Sequence, residues 1–120
     1  MLQLSPTCRY WFYRHFTDIR KGFDGLCGIV QNELRQNPMN GDVFIFVNRR
    51  RTHIKLLTWD RDGFALYYKR LEKGTFELPG SDQDGPVKVS AQQLMLLLQG
   101  ISLKQVKYRR RYQHFDAKCE

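Results

Sequence analysis

The stretch "GDVFIFVNRRRTHIKLLTWDRDGFALYYKRL", residues 41–71, decides the fold. It contains three runs rich in β-branched and aromatic residues, separated by two short polar breaks. The first run, Val43–Val47, is apolar throughout, the pattern of a strand covered on both faces. "NRRR" at 48–51 connects it to a second run, "THIKLLTW" at 52–59. "DRDG" at 60–63 is turn material, with Gly63 free to take a positive φ, and "FALYYKRL" at 64–71 follows as a third strand. Connections this short join antiparallel neighbours, because a parallel pair needs a crossover of a dozen residues or more. The block therefore predicts an antiparallel meander.

Upstream, "RYWFYRHF" at 9–16 predicts one more strand. Tyr10, Phe12 and Arg14 share one face and Trp11 and Tyr13 the other, so rings on both faces place it inside the sheet. Between this strand and Val43, Thr17 is a candidate helix cap, and Asp18 suits the positive end of the helix dipole. Ile19, Phe23, Leu26, Cys27, Val30 and Leu34 then recur at helical spacing, and Asn37–Pro38 stops the helix. Gly22, Gly25 and Gly28 sit oddly there, since a mid-helix glycine costs about 0.5–1 kcal/mol relative to alanine. Close packing on the sheet, a kink, or a helix that begins only near Leu26 would each account for them.

Downstream, "PGSDQDGP" at 79–86 is a loop, and Ser90 with Gln93 forms a capping box for a second helix. Leu94, Leu97, Leu98 and Ile101 make its buried stripe, and Gly100 suits its end. Met95 and Leu96 fall outside the stripe; they either pack on the loop or form a partner's landing site. The expected architecture is one α+β domain, with a mainly antiparallel sheet of about four strands in the order β-α-β-β-β. The first helix packs on the sheet, and a second helix and a basic tail close the chain. The core spans about 8–101 and the basic extension about 102–120.

Composition narrows the function classes. Twenty Lys and Arg against 12 Asp and Glu give a net charge of +8 over 120 residues, which favours polyanionic partners. Cys8, Cys27 and Cys119 form no C-x-x-C pair, and His15, His53 and His114 show no ligand spacing to them, so no metal or other cofactor is expected. No apolar run reaches about 18 residues and the start lacks a secretion-signal layout; the expectation is a cytoplasmic protein with no membrane contact.

The positive charge is clustered: Arg49, Arg50 and Arg51; Lys69 and Arg70; and Lys107, Arg109, Arg110 and Arg111 in "KYRRRY". Arginine forks bind phosphate bidentately, and the tail's flanking rings offer stacking surfaces for bases. A plainer reading has the same arginines solubilising a turn and a tail, paired with Asp42, Asp60, Asp62 or Glu72. No zinc finger, basic zipper or helix-turn-helix appears, so the signal is for phosphate and not for base sequence. Asp60 and Asp62 flank a turn, and Asp18 and Asp24 fit helix-start and turn roles, which leaves no converging carboxylates for two-metal chemistry. With no nucleophile elbow or phosphate-cradling Gly-rich loop either, no enzyme is expected.

"TDIRKGFDGL" (17–26), the block 41–79 and the arginine-rich end resemble the small accessory protein, called TnpB, that bacterial elements of the insertion sequence 66 family encode in their second open reading frame. The resemblance implies a role in DNA transposition beside a separate, larger transposase that carries out strand transfer. It brings no catalytic or binding residues, so the arginine assignments rest on charge and geometry alone. Two functions follow as expectations. One is a DNA-binding accessory module; the other is a protein adaptor that uses Met95, Leu96, Trp11 or Tyr108 to dock the transposase or a second copy of the chain, with RNA a third possible partner.

Overall fold

Tyr10–Phe12 form strand β1, and alternation across the strand sends their side chains to opposite faces of the sheet. In the computed structural model, which describes residues 7–79 and 86–99, six more elements follow: helix α1 (Phe23–Asn32), strands β2 (Val43–Val47), β3 (His53–Asp60), β4 (Gly63–Arg70) and β5 (Val87–Val89), and helix α2 (Ala91–Gln99). They build one five-stranded sheet in the order β4-β3-β2-β1-β5. The expected meander is present, with β2 antiparallel to β3 and β3 to β4. β1 runs parallel to β2, with α1 as the crossover, and antiparallel to β5.

Both faces of the sheet are covered, as the rings on both sides of β1 require. Tyr10, Phe12, Val43, Ile45, Val47, Ile54 and Leu56 pack with Phe76, Leu94 and Leu97 on the α2 face. Phe44, Phe46 and Leu57 meet Leu26, Val30 and Leu34 on the α1 face, with Trp11 and Tyr13 at the margin. Each fully buried large side chain contributes about 1.5–3 kcal/mol of transfer free energy, so these two clusters dominate the stability. No helix among the described residues is long and apolar enough to cross a membrane.

Several boundaries differ from the expectation, each for a local reason. β1 stops at Phe12, yet the chain stays beside β2, because the Tyr13 and Thr17 N–H groups donate to the carbonyls of Ile45 and Val47 at 3.0 and 2.9 Å. Thr17 is thus held beside β2 and caps no helix. The cap is Gly22, and α1 begins at Phe23, which itself is exposed. A Cβ on Gly28 would meet nothing within 4 Å and one on Gly25 would meet Lys21 at 3.2 Å, so close packing on the sheet does not explain these glycines. α1 ends at Asn32, well before Pro38, where Arg35 takes φ 55° and turns the chain back. In the β3–β4 turn the left-handed residue is Arg61 (φ 59°) and not Gly63, which pairs with Asp60 as the first residue of β4.

The fifth strand, β5, corrects the four-strand expectation. Its signal is three residues, Val-Lys-Val, and only its pairing with β1 makes it a strand. The Ser90–Gln93 capping box forms as expected, each side chain bonding the other's N–H at 2.8–3.0 Å. Leu94 and Leu97 are buried, while Ile101 and Gly100 lie outside the described residues.

Candidate nucleic-acid interface

The β2–β3 connection is a tight turn built by Asn48. Its Oδ1 accepts the N–H groups of Thr52 (2.9 Å) and His53 (3.0 Å), and its carbonyl accepts Arg51 N–H at 3.0 Å. The Arg51 carbonyl in turn accepts Phe76 N–H, which ties the turn to the segment after β4. Arg51 has φ 60°, a left-handed conformation that glycine adopts more cheaply. The local bonds fix the backbone and leave the side chains of Arg49, Arg50 and Arg51 in solvent.

These three arginines join none of the ion pairs seen among the described residues, such as Arg9–Asp42, Arg20–Asp18 and Arg70–Glu72. The Arg49 guanidinium lies 5.5 Å from the centre of the Phe16 ring, a cation–π contact that orients it while leaving its N–H donors unused. Of the acids the plainer reading names, Asp42 and Glu72 pair with Arg9 and Arg70, and none pairs with the triplet, which leaves solubilisation of the turn as its remaining content.

The second predicted pair divides. Lys69 and Arg70 are neighbours on β4 and point to opposite faces of the sheet. Lys69 is half-buried, and its Nζ donates to the Leu98 carbonyl at 3.0 Å, holding the end of α2. Arg70 is exposed and chelates Glu72 at 2.8 and 3.0 Å. Arg70 is opposite His53 in the β3–β4 register, so it lies at the same end of the sheet as the arginine turn. Lys107, Arg109, Arg110 and Arg111 lie outside the described residues; the described chain ends at Gln99, beside Leu98 and therefore at this same end. Met95 is 45% exposed and Leu96 half-buried on α2.

Two features of this end carry no signal in the sequence pattern. Lys55 lies inside β3 with 7% of its surface exposed, a position where charge is rare. Its Nζ donates to the carbonyls of Ile19 (2.7 Å) and Lys21 (2.8 Å) and sits 4.8 Å from the centre of the Tyr68 ring. Burial pushes the Lys55 ammonium below its ordinary pKa, and the Asp18 carboxylate offsets this in part. The lysine thereby pins the 18–22 segment over the sheet. Within that segment Arg20 grips Asp18 through its N–H, Nε and NH2 groups at 2.8–3.1 Å, and this holds the Asp18 carboxyl well below the usual carboxylate range.

The opposite end of the sheet is different in kind. Buried Asp42 accepts from Arg9 Nε at 3.2 Å and Trp11 Nε1 at 3.0 Å, and Asp60 and Asp62 flank the β3–β4 turn. A cleft of about 510 Å³ there is lined by apolar side chains such as Val43, Leu56 and Ala65 and by no lysine or arginine. The arginine-turn end thus differs from this one in carrying three consecutive exposed arginines, whereas the cleft here is lined without a cation.

A family model described as IS66 Orf2 like protein matches residues 8–108. Among curated proteins, the uncharacterized protein y4hO of Sinorhizobium fredii is 38% identical over 101 residues, covering 84% of this chain and 87% of that protein. The uncharacterized protein y4jC of the same organism is 34% identical over 90 residues, covering 75% of this chain and 76% of its own length. No solved structure matches the chain.

Proposed function

The chain belongs to the IS66 Orf2-like family, and from that premise we propose that it is a non-catalytic accessory protein of transposition that binds DNA through its arginine clusters and helps assemble the transposase complex. The observation that carries the DNA contact is the β2–β3 turn. Three consecutive arginines project from a rigid backbone with no acidic partner among the described residues. Free guanidinium groups on a fixed frame are suited to phosphate, and a turn between two strands is narrow enough to reach along a groove. Arg70 adds to this surface only by releasing Glu72, and Lys69 only by releasing the end of α2. The basic tail supplies further phosphate contacts on this reading.

The test is duplex binding measured across salt concentrations for the wild type and for the joint replacement of Arg49, Arg50 and Arg51 by alanine. Each lost phosphate contact flattens the log–log salt slope by about 0.9. Three contacts give a change of about 2.7; an unchanged slope removes the turn from the interface.

A second reading, docking to the transposase or to another copy of the chain, draws on a separate observation. β4 is an edge strand eight residues long that carries exposed Tyr68, and Met95 is exposed on α2. Such an edge can accept an added strand. A transposase complex that survives nuclease treatment favours docking, and one lost on nuclease treatment favours a DNA bridge.

A further inference from the structure

We propose that the cavity between residues 16–19 and the β2–β3 turn is a seat for a single phosphate group, on a DNA strand if the proposed function holds; the inference rests on that reading and deepens it. The cavity measures about 430 Å³ and is lined by Phe16 to Ile19 on one side and by Asn48, Arg49 and Arg50 on the other. It lies beyond the ends of the parallel pair β1 and β2, where Thr17 N–H is bonded to the Val47 carbonyl.

Three observations converge on it. Thr17 is 6% exposed, and its Oγ1 is buried with no hydrogen-bond partner among the described residues. Buried hydroxyls are nearly always satisfied, so this one asks for an explanation. Thr17 lines the cavity, and on this proposal a change of χ1 rotamer turns its hydroxyl toward a ligand oxygen there. Second, Arg49 and Arg50 line the same space without ion-pair partners among the described residues, and Phe16 steadies Arg49. Third, the N–H groups of Arg49 and Arg50 bond to no carbonyl among the described residues, because Arg51 N–H alone closes the turn. The residues lining the cavity thus bring two arginines, a buried hydroxyl and two backbone amides that close no turn.

That set matches a tetrahedral oxyanion better than a carboxylate. Three acceptor oxygens can take both guanidinium groups and the hydroxyl together, whereas two oxygens in a plane cannot. It excludes a cation. Asp18 also lines the cavity, but its carboxylate is already chelated by Arg20 at 2.8 and 3.1 Å, so the charge on that side is neutralised.

The experiment uses the full chain. Amide spectra of ¹⁵N-labelled protein are titrated with inorganic phosphate and, at matched ionic strength, with chloride. Duplex affinity is measured across salt for the wild type, Thr17→Val and Thr17→Ser. Saturable shifts at Thr17, Arg49 and Arg50 are expected with phosphate only. Thr17→Val removes the hydroxyl and no charge. It is expected to weaken phosphate and duplex binding about tenfold with the salt slope unchanged, and Thr17→Ser to restore binding. Should Thr17→Val fold poorly, Thr17→Ala, which also removes the hydroxyl and no charge, carries the same comparison against Thr17→Ser. Phosphate shifts that match chloride, or duplex affinity indifferent to Thr17→Val, overturn the seat. Duplex binding that loses salt slope with the arginines yet ignores Thr17→Val overturns the seat and keeps the proposed function. Saturable, Thr17-dependent phosphate binding without duplex affinity supports the seat and overturns the DNA contact.

Discussion

Replacing Lys55 by methionine separates what this lysine holds from what it costs. The substitution keeps the length and apolar stem of the side chain, which already lies buried in β3, and removes only the ammonium. Two hydrogen bonds disappear, to the carbonyls of Ile19 at 2.7 Å and Lys21 at 2.8 Å. Bonds from a charged donor contribute about 1.5–3 kcal/mol each, and the contact over Tyr68 adds about 0.5–1 kcal/mol, a gross loss of roughly 4–7 kcal/mol. Against this stands the desolvation of the ammonium, which costs several kcal/mol and is relieved in the variant. Lys21 is exposed and Ile19 half-exposed, so water can satisfy both freed carbonyls. The expected net loss is about 1–2 kcal/mol, well below the gross figure. Urea unfolding reads that loss as a lower midpoint at unchanged m. Hydrogen exchange reads its location: the Lys21 amide, bonded to the Asp18 carbonyl at 3.1 Å, should exchange faster by more than the global change, while β2 amides slow or speed only with global stability. A pH arm fixes the sign. The folded pKa of Lys55 lies below its ordinary 10.5, so between the two values the unfolded chain binds more protons. The wild type must therefore gain stability over the variant as pH rises through that window. A variant as stable as the wild type, with unchanged exchange at Lys21, would show that the lysine pins nothing.

Arg51→Gly should raise stability by about 1 kcal/mol, because glycine takes the left-handed backbone without strain, while the duplex salt slope falls by about 0.9; thermal melts and salt titrations check the two halves. Cys27 is half-buried, and burial with the neighbouring Asp24 carboxylate pushes its thiol pKa up, whereas Cys8 is exposed. In a Cys119→Ser background, a thiol reagent at pH 8 should label Cys8 at least about tenfold faster than Cys27, read by mass spectrometry of the digested protein. Ser90→Ala removes half of a capping box and should cost about 1 kcal/mol, with faster exchange at the Gln93 amide.

Local signals in the chain were enough for the meander, the two-faced first strand, the capping box and the family. Each depends on alternation or on contacts within a few residues, which sequence spacing reports directly. The boundaries that shifted depend on partners far along the chain. Thr17 has the chemistry of a helix cap, but the Val47 carbonyl, 30 residues on, claims its N–H. Val87–Val89 is a strand only because β1 offers an edge. At the candidate site the triplet Arg49–Arg51 was legible as clustered charge, while its neighbours were not. Nothing in "HIKLL" marks Lys55 as the residue that reaches across to Ile19 and Lys21, and nothing in "FTDI" marks Thr17 as a buried hydroxyl without a partner. Lys69 and Arg70 were adjacent in sequence and read as one cluster, yet alternation along β4 divides them between two faces.

The three residues other than glycine with positive φ among those described are all arginines: Arg35 at 55°, Arg51 at 60° and Arg61 at 59°. Each carries roughly 1–2 kcal/mol of backbone strain that glycine would avoid. Strain alone marks no site, since Arg35 and Arg61 lie at the opposite end of the sheet from the triplet. What sets Arg51 apart is how firmly its backbone is held: its N–H is taken by the Asn48 carbonyl, its carbonyl by Phe76 N–H, and the next two N–H groups by Asn48 Oδ1. A charge meant only to keep the chain in solution works equally well on a loose, unstrained loop. On the proposed reading an anion at this turn has only the arginine side chains left to order, since the backbone that carries them is already held and Phe16 already orients Arg49. A held backbone of this kind supports the proposed phosphate contact, because solvation alone gains nothing from it.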